Sequence, residues 1–331
     1  MTATLPFSRL MRPALTAIFF TSALFTSGCA APVATGLSTL DGRPPLVIAH
    51  RGASGELPEE TLEAYAHAID LGADVIEMDL VATKDGVLIT RHDADLGITT
   101  DIASRPEFAA RKRTVRIAGK AQAGWFSHDF TLAEINTLRA IAPDSARPQQ
   151  FNGLYRVPTL QMVLDLAAKA SRPVAVYIET KDPAYFRGLG LPLEETLTAE
   201  LRARGWDRAD APVFLQSFEA DSLKRMRAAG VTTPMVQLMG GSAVTTSEQL
   251  AAIKGYANGI GPSRRLLGGA STLIQDAHRA GLFVHPYTYN QANDDFAAAY
   301  RSGVDGVFTD FTAQALAART LYLTSQPGPA R

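Results

Sequence analysis

Cysteine is nearly absent from this chain: Cys29 is the only one in 331 residues. No internal disulfide can form, so stability has to come from the core. Long basic blocks are missing too, and the formal charge is −1, so nothing favours a surface built to coat nucleic-acid phosphates. There is no low-complexity segment. The glycines of NGIGP and LLGGAS lack the spacing of a P-loop or a dinucleotide fingerprint and read as turns. What is present is a globular composition, 46% hydrophobic and 20% charged, enough for a substantial core. A small or lipid-derived substrate suits it better than a nucleic acid.

The first 28 residues stand apart. Arg9 and Arg12 precede the apolar run ALTAIFFTSALFTSG and the small-residue cluster TSGCAA, the outline of a secretory signal too short for a comfortable membrane span. Removing residues 1–28 takes away two arginines and no acid, so 32 − 2 basic residues against 33 acidic ones gives −3. Cys29 sits where a bacterial lipoprotein is cleaved and acylated, and Thr26-Ser27-Gly28-Cys29 resembles a lipobox with Thr26 where leucine is usual. Acylation there would tether the protein to a membrane; an ordinary cleaved signal is the alternative. Residues 29–45 read as a flexible tether, 46–318 as the folded domain and 319–331 as a C-terminal tail.

From residue 46 onward, short Val/Ile-rich runs alternate with helical patterns, the signature of strand–helix units and a parallel sheet. Strands are expected at 46–50, 74–80, 87–92, 174–180, 212–218, 234–238, 258–262, 282–287 and 306–311. That is one more than an eight-stranded barrel holds. Only ATKDG separates DVIEMDL from VLITRH, whereas a parallel crossover takes about a dozen residues or more. These two runs must therefore form an antiparallel hairpin turning at Lys84-Asp85-Gly86, which leaves eight parallel strands and a (β/α)8 TIM barrel. Folding the hairpin back brings His92 level with Asp79. Between about 95 and 157 the rhythm breaks, and a small insertion on the rim is expected, with a short helix in TLAEINTLRA. Threonine N-caps are expected for the helices TLEAYAHAIDLG and TLQMVLDLAAKA.

Glu77 and Asp79 are two residues apart on a strand and so share one face. Two carboxylates side by side repel unless a proton or cation lies between them. Glu179 occupies the matching end of the next barrel strand, with Lys181 two residues on. Three carboxylates from neighbouring strands suit a hard divalent cation such as Ca²⁺ or Mg²⁺ rather than zinc. His50 and His92 end their strands above that cluster, where two imidazoles can take a proton from an attacking oxygen and give one to a leaving oxygen. Arg51 offers a fork of donors for phosphoryl oxygens. Phe218, Tyr287 and Phe311 end strands and are candidates for an apolar pocket wall. Trp125 and Phe126 of the insertion either pack in the core or close over substrate, and His285 is a candidate for a pocket role. His67 and His128 read as solvated or structural.

The set HRGASGELPEETLEAY, EMDLVATKDGVLITRHD, IETK and QSF resembles the glycerophosphodiester phosphodiesterases, and VQL, GIGP, VHPYT and FTDF are similar to the periplasmic branch of that family. The resemblance covers residues 46–314. It implies a barrel of the phospholipase C-like phosphodiesterase type. The implied activity converts glycerophosphodiesters to sn-glycerol 3-phosphate and an alcohol. His50 and His92 would be general base and acid, Glu77, Asp79 and Glu179 would hold a metal, Ca²⁺ in the periplasmic branch, and Arg51 and Lys181 would contact phosphate. The glycerol 2-hydroxyl would attack first, giving a cyclic phosphate that water opens. Glu60 stands where many members carry asparagine, Thr180 where several carry isoleucine, and Ser263 where related enzymes carry an acid. Two rivals remain: a phospholipase acting on intact or lyso lipids, and a surface-binding lipoprotein using the barrel as scaffold. The protein is expected in a bacterial envelope, in the periplasm and tethered by lipid.

Overall fold

The computed structural model describes residues 1–2, 37–241, 245–269 and 271–326. The chain divides into Met1–Val33 and Ala34–Arg331, and the strands and helices belong to the second unit. Apart from the first two residues, the expected signal peptide lies outside the described residues, as do Cys29, the tether up to residue 36 and residues 327–331 of the tail. Among the described residues no helix is long and apolar enough to cross a membrane.

The strands in chain order are β1 (Leu46–Ala49), β2 (Val75–Ala82), β3 (Leu88–Thr90), β4 (Arg113–Ile117), β5 (Lys120–Gly124), β6 (Ala175–Thr180), β7 (Val213–Ser217), β8 (Met235–Met239), β9 (Gly259–Pro262), β10 (Phe283–Val284) and β11 (Gly306–Thr309). The helices are α1 (Leu62–Leu71), α2 (Leu132–Ile135), α3 (Leu160–Ala168), α4 (Pro183–Gly188), α5 (Leu193–Ala203), α6 (Ala220–Ala228), α7 (Ser247–Lys254), α8 (Leu273–Arg279), α9 (Phe296–Arg301) and α10 (Thr312–Thr324).

Eight parallel strands run in the order β10-β9-β8-β7-β6-β2-β1-β11, with β3 antiparallel on β2. The two ends of this row meet. Asp305 N–H donates to Val284 O at 2.9 Å and Phe308 N–H to Pro286 O at 3.1 Å, which closes the barrel. Pro286 has no N–H to give, and β10 accordingly stops two residues before it. The expected barrel is therefore present. The hairpin also has the anticipated register, Leu80 opposite Thr90 and Ala82 opposite Leu88, so Arg91 N–H reaches Asp79 O at 2.9 Å and His92 follows above it.

Inside the barrel the two-residue period sorts side chains by height. Ile48, Val75, Tyr177, Val236 and Phe308 form an inner apolar cluster low in the barrel, and two or four places beyond Ile48, Val75, Tyr177 and Phe308 come the polar groups His50, Glu77, Asp79, Glu179, Lys181 and Asp310. The outward faces pack against the helices. Thr61 and Thr159 cap α1 and α3 by accepting from Ala64 N and Met162 N, as their positions predict.

The insertion is more regular than its composition suggests. Arg113–Ile117 and Lys120–Gly124 form a hairpin whose two-residue loop, Ala118 (φ 46°) and Gly119 (φ 79°), is left-handed at both positions, the tight turn that matches strand twist. The helix expected over TLAEINTLRA shortens to α2, started by a reciprocal capping box between Thr131 and Glu134. Phe108, Val115, Ile117, Phe126, Phe130 and Leu138 join the main core. Phe126 is fully buried, and Trp125 packs on that core with its indole N–H held by Phe108 O at 2.8 Å, so these two rings are committed to packing and not free to close over a substrate. His128 is buried as well rather than solvated, bonded through Nε2 to Tyr185 Oη at 3.1 Å.

Two domain ends differ from expectation. Leu37 packs on the core and Leu40 N–H donates to Asp305 Oδ1 at 2.6 Å, so the last residues of the expected tether lie against the barrel's N-terminal end. At the other terminus α10 continues to Thr324, and Arg319 pairs with Asp74, so residues 319–324 belong to the fold and not to a tail.

Candidate active site

Strand register brings the acids together. Asp79 of β2 is opposite Glu179 of β6, and Glu179 is opposite Gln216 of β7. With Glu77 one inward position lower, Glu77, Asp79 and Glu179 present carboxylate oxygens within 4.8 Å of one another, all buried. His50, Arg51, His92, Lys181, Phe218 and Tyr287 line the same open cleft, of about 160 Å³, at the C-terminal ends of the strands. Nine of the residues singled out for the site therefore meet in one place. Phe311 does not line this cleft, and His285 sits a layer below Tyr287, buried against Phe283 and bonded to Tyr177 Oη at 3.2 Å. Burial lowers His285 to about 4, which keeps it neutral in that core.

Each carboxylate has a distinct surrounding. Glu77 accepts from Gln216 Nε2 at 3.0 Å and from Arg51 N–H at 2.9 Å. Burial and the neighbouring charges of Asp79 and Glu60 push it well above the usual carboxylate range. Burial would do the same to Asp79, yet Lys181 and Arg51 outweigh it and hold Asp79 well below that range. Arg51 Nε lies 3.1 Å and Lys181 Nζ 3.9 Å from it, but neither buried oxygen of Asp79 accepts a hydrogen bond. Glu179 is raised by burial, against the pull of Lys181 at 2.8 Å, and comes to about 7.

Both histidines are tied through Nδ1 to an aspartate. His50 Nδ1 is 2.7 Å from Asp310 Oδ1, and His92 Nδ1 is 2.9 Å from Asp93 Oδ2. An ionised carboxylate only accepts, so each Nδ1 is the protonated nitrogen and each Nε2 is left for the cleft. Burial would raise Asp310 and Asp93, but the hydrogen bond from the histidine brings each below its ordinary value. Asp93 was readable as the residue after His92. Asp310 lies two residues beyond Phe308, just past the end of β11 and within the FTDF motif, though the sequence assigns it no role.

Arg51 has φ 56°, a conformation rare outside glycine, which aims its side chain at Asp79 while Nη1 donates to Glu59 Oε1 at 3.0 Å. Gly55 is required nearby: a Cβ there would stand 2.5 Å from Asp310 O. Glu60, fully buried, lies beneath the row. Its Oε1 accepts Asp79 N–H at 2.9 Å and its Oε2 accepts from Tyr65 Oη. The acid that replaces asparagine thus supports the strand that carries Asp79. Thr180 points outward and bonds Ser222, away from the cleft, as its strand position predicts.

On the fold and site together, this is a (β/α)8 barrel with an acidic, two-histidine cleft suited to phosphodiester chemistry. Residues 50–314 match the glycerophosphoryl diester phosphodiesterase family model. The chain is 36% identical over 315 residues to glycerophosphodiester phosphodiesterase GDPD6 of Arabidopsis thaliana, covering 81% of this chain and 84% of that protein. It is 37% identical over 277 residues to a glycerophosphodiester phosphodiesterase of Bacillus subtilis, covering 80% and 83%. Among solved structures, an Oleispira antarctica phosphodiesterase in complex with the product sn-glycerol-3-phosphate shares the fold with a TM-score of 0.64 at 23% identity, covering 83% of this chain and 96% of that one. The chain belongs to the glycerophosphoryl diester phosphodiesterase family, and its enzyme class is that of the glycerophosphodiester phosphodiesterases.

Proposed function

We propose that the cleft hydrolyses glycerophosphodiesters to sn-glycerol 3-phosphate and an alcohol, with a divalent cation held by Glu77, Asp79 and Glu179, and with His50 and His92 as the acid–base pair. The observation that carries this reading is the convergence of three buried carboxylates within 4.8 Å of one another, flanked by two histidines whose Nδ1 atoms are each anchored by an aspartate. The residues fit a hard cation: three carboxylates converge, and the buried oxygens of Asp79 accept no hydrogen bond. A cation bound there would polarise the phosphoryl oxygens and offset their charge. We favour Ca²⁺, with Mg²⁺ as the alternative.

The protein's own groups do the rest. Arg51 and Lys181 bind and orient the phosphoryl oxygens. One neutral imidazole takes the proton of the glycerol 2-hydroxyl as its oxygen bonds to phosphorus; the other, protonated, gives its proton to the alcohol oxygen as the P–O bond breaks. Each histidine then holds the opposite protonation state. Attack of water on the cyclic phosphate needs those reversed roles, so the second step restores the starting pair. Phe218 and Tyr287, packed edge to face at 5.8 Å, wall the cleft where the alcohol would leave.

A cleft of about 160 Å³ lined mostly by charged and polar side chains favours small soluble diesters over intact lipids. Secretion and lipid attachment at Cys29, with a periplasmic setting, rest on residues 1–29 and complete the proposal. It predicts chelator-sensitive release of glycerol 3-phosphate from glycerophosphocholine by the mature protein, lost in His50→Ala. Folded protein that releases none, across several diesters and metals, would overturn it. A Cys29→Ser variant that still fractionates with membranes would remove the lipid tether.

A further inference from the structure

Arg147 belongs to the polar loop of the insertion, 163 residues from Asp310 in sequence, yet its Nη2 donates to Asp310 Oδ2 at 2.5 Å. The same nitrogen reaches Asn290 O at 3.1 Å, and the guanidinium lies 5.0 Å from the centre of the Phe311 ring. Its side chain is only 16% exposed. The other oxygen of Asp310 holds His50 Nδ1 at 2.7 Å. One carboxylate is therefore gripped on both sides, by a guanidinium from the insertion and by an imidazole from the end of β1.

That grip has a chemical consequence. A carboxylate free to swing about its last torsion presents either oxygen, and its hold on an imidazole weakens with the angle. With Oδ2 fixed by Arg147, Oδ1 keeps one direction. His50 then keeps its proton on Nδ1 and its Nε2 lone pair toward the cleft. Arg147 also adds positive charge beside Asp310, which helps keep that group ionised and accepting.

We propose that Arg147 is a positioning residue of the phosphodiesterase site, acting through Asp310 on His50, so that the insertion supports the acid–base pair rather than covering the substrate. This rests on the reading of His50 as an acid–base group. Outer residues that orient a working histidine typically matter by about 10- to 100-fold, and that is the loss expected here.

The test uses the mature protein with Arg147→Gln, Arg147→Lys and Asp310→Asn, read by two independent measurements. In nitrogen-labelled histidine spectra, a low-field Nδ1 proton of His50, identified by its loss in His50→Gln, is present in the parent. It broadens or moves upfield in Arg147→Gln and is partly kept in Arg147→Lys. In turnover, Arg147→Gln lowers kcat about 10- to 100-fold with KM and Ca²⁺ affinity little changed, and adding it to Asp310→Asn costs nothing further. An unchanged His50 resonance in Arg147→Gln would overturn the proposal. So would a loss that adds fully to that of Asp310→Asn, or one in which KM, Ca²⁺ affinity and melting temperature all worsen together, the mark of a merely loosened insertion. If the parent itself releases no glycerol 3-phosphate, the functional reading fails, while the resonance still decides the role of Arg147.

Discussion

Asp79 and Glu179 stand opposite each other across the β2–β6 ladder, and both face the same ammonium, with Lys181 Nζ 2.8 Å from Glu179 and 3.9 Å from Asp79. Register, not sequence proximity, makes them a pair. Lys181 and Arg51 supply two positive charges to three acids, so the cluster keeps surplus negative charge that a proton or a divalent cation must offset.

Asp79→Asn should therefore cost metal binding before it costs folding. Losing one charged ligand from a three-carboxylate site weakens a hard cation by orders of magnitude, here about 100-fold or more in Ca²⁺ affinity. Calorimetric titration of the parent and variant checks this. Equal Ca²⁺ affinity in both would show that the cation, if it binds, sits elsewhere.

Metal affinity should also depend on pH with a definite sign. Glu179 is raised from 4.5 to about 7, and Glu77 is raised too, so below neutrality a cation must displace protons to reach these oxygens. Affinity should fall at least about tenfold per unit as pH drops below 7. The metal-free protein should show the complementary trend. A raised acid contributes stability that is fully present below 4.5 and is lost as pH climbs through about 7. Ca²⁺ should therefore raise the melting temperature more at pH 7.5 than at pH 5.5. A dissociation constant flat from pH 5.5 to 8 would rule this out.

Much of this site was legible because it obeys local periods. The two-residue repeat of a strand put Glu77 beside Asp79 and Glu179 below Lys181, and the short gap before VLITRH forced the hairpin that lifts His92. The Asp310–Arg147 link obeys no such period: it joins a barrel strand to an irregular loop, and only the closed fold brings them together. The choice between packing and substrate contact for Trp125 and Phe126, and between burial and solvent for His128, stayed open for the same reason, since neighbours on the barrel decide it. The β4–β5 hairpin was within reach, because Thr114 to Ile117 alternates polar with apolar before Ala118-Gly119. Its basic composition masked that pattern.

Phe218 offers a test of the cleft wall. The residue is 46% exposed, and its ring stands edge-on to Tyr287 with its centre 5.7 Å from Lys181 Nζ. An exposed ring held this way is available to a substrate rather than to the core. Phe218→Ala should raise KM for glycerophosphocholine about three- to tenfold, equivalent to roughly 1 kcal/mol of contact, with kcat nearly unchanged. Steady-state kinetics with glycerophosphocholine and glycerophosphoethanolamine would show whether the loss follows the headgroup. An unchanged KM for both would remove Phe218 from the pocket.

Tyr65 and Glu60 join stability to the site through one buried hydrogen bond. Both are fully buried, and the Tyr65 hydroxyl donates to Glu60 Oε2 while Oε1 takes the Asp79 N–H. Burial and the charge of Asp79 push Glu60 well above the ordinary carboxylate range, and the tyrosine hydrogen bond works against that push. Tyr65→Phe removes the donor without changing the ring's packing, so one buried carboxylate oxygen loses its partner, at a cost of about 1–3 kcal/mol. Glu60→Gln is different. An amide keeps an acceptor for the Asp79 N–H and turns a donor toward Tyr65, whose hydroxyl oxygen can accept, and it removes a charge that repels Asp79. That variant should be as stable as the parent or more so, and in its background Tyr65→Phe still strands a polar atom, now a donor. Denaturant unfolding of the four proteins decides the matter. If Tyr65→Phe is neutral in the parent, the hydroxyl does not carry Glu60. If Glu60→Gln is strongly destabilising, the carboxylate itself holds Asp79's strand in place, and the charge beneath the site is a structural requirement rather than a tolerated burden.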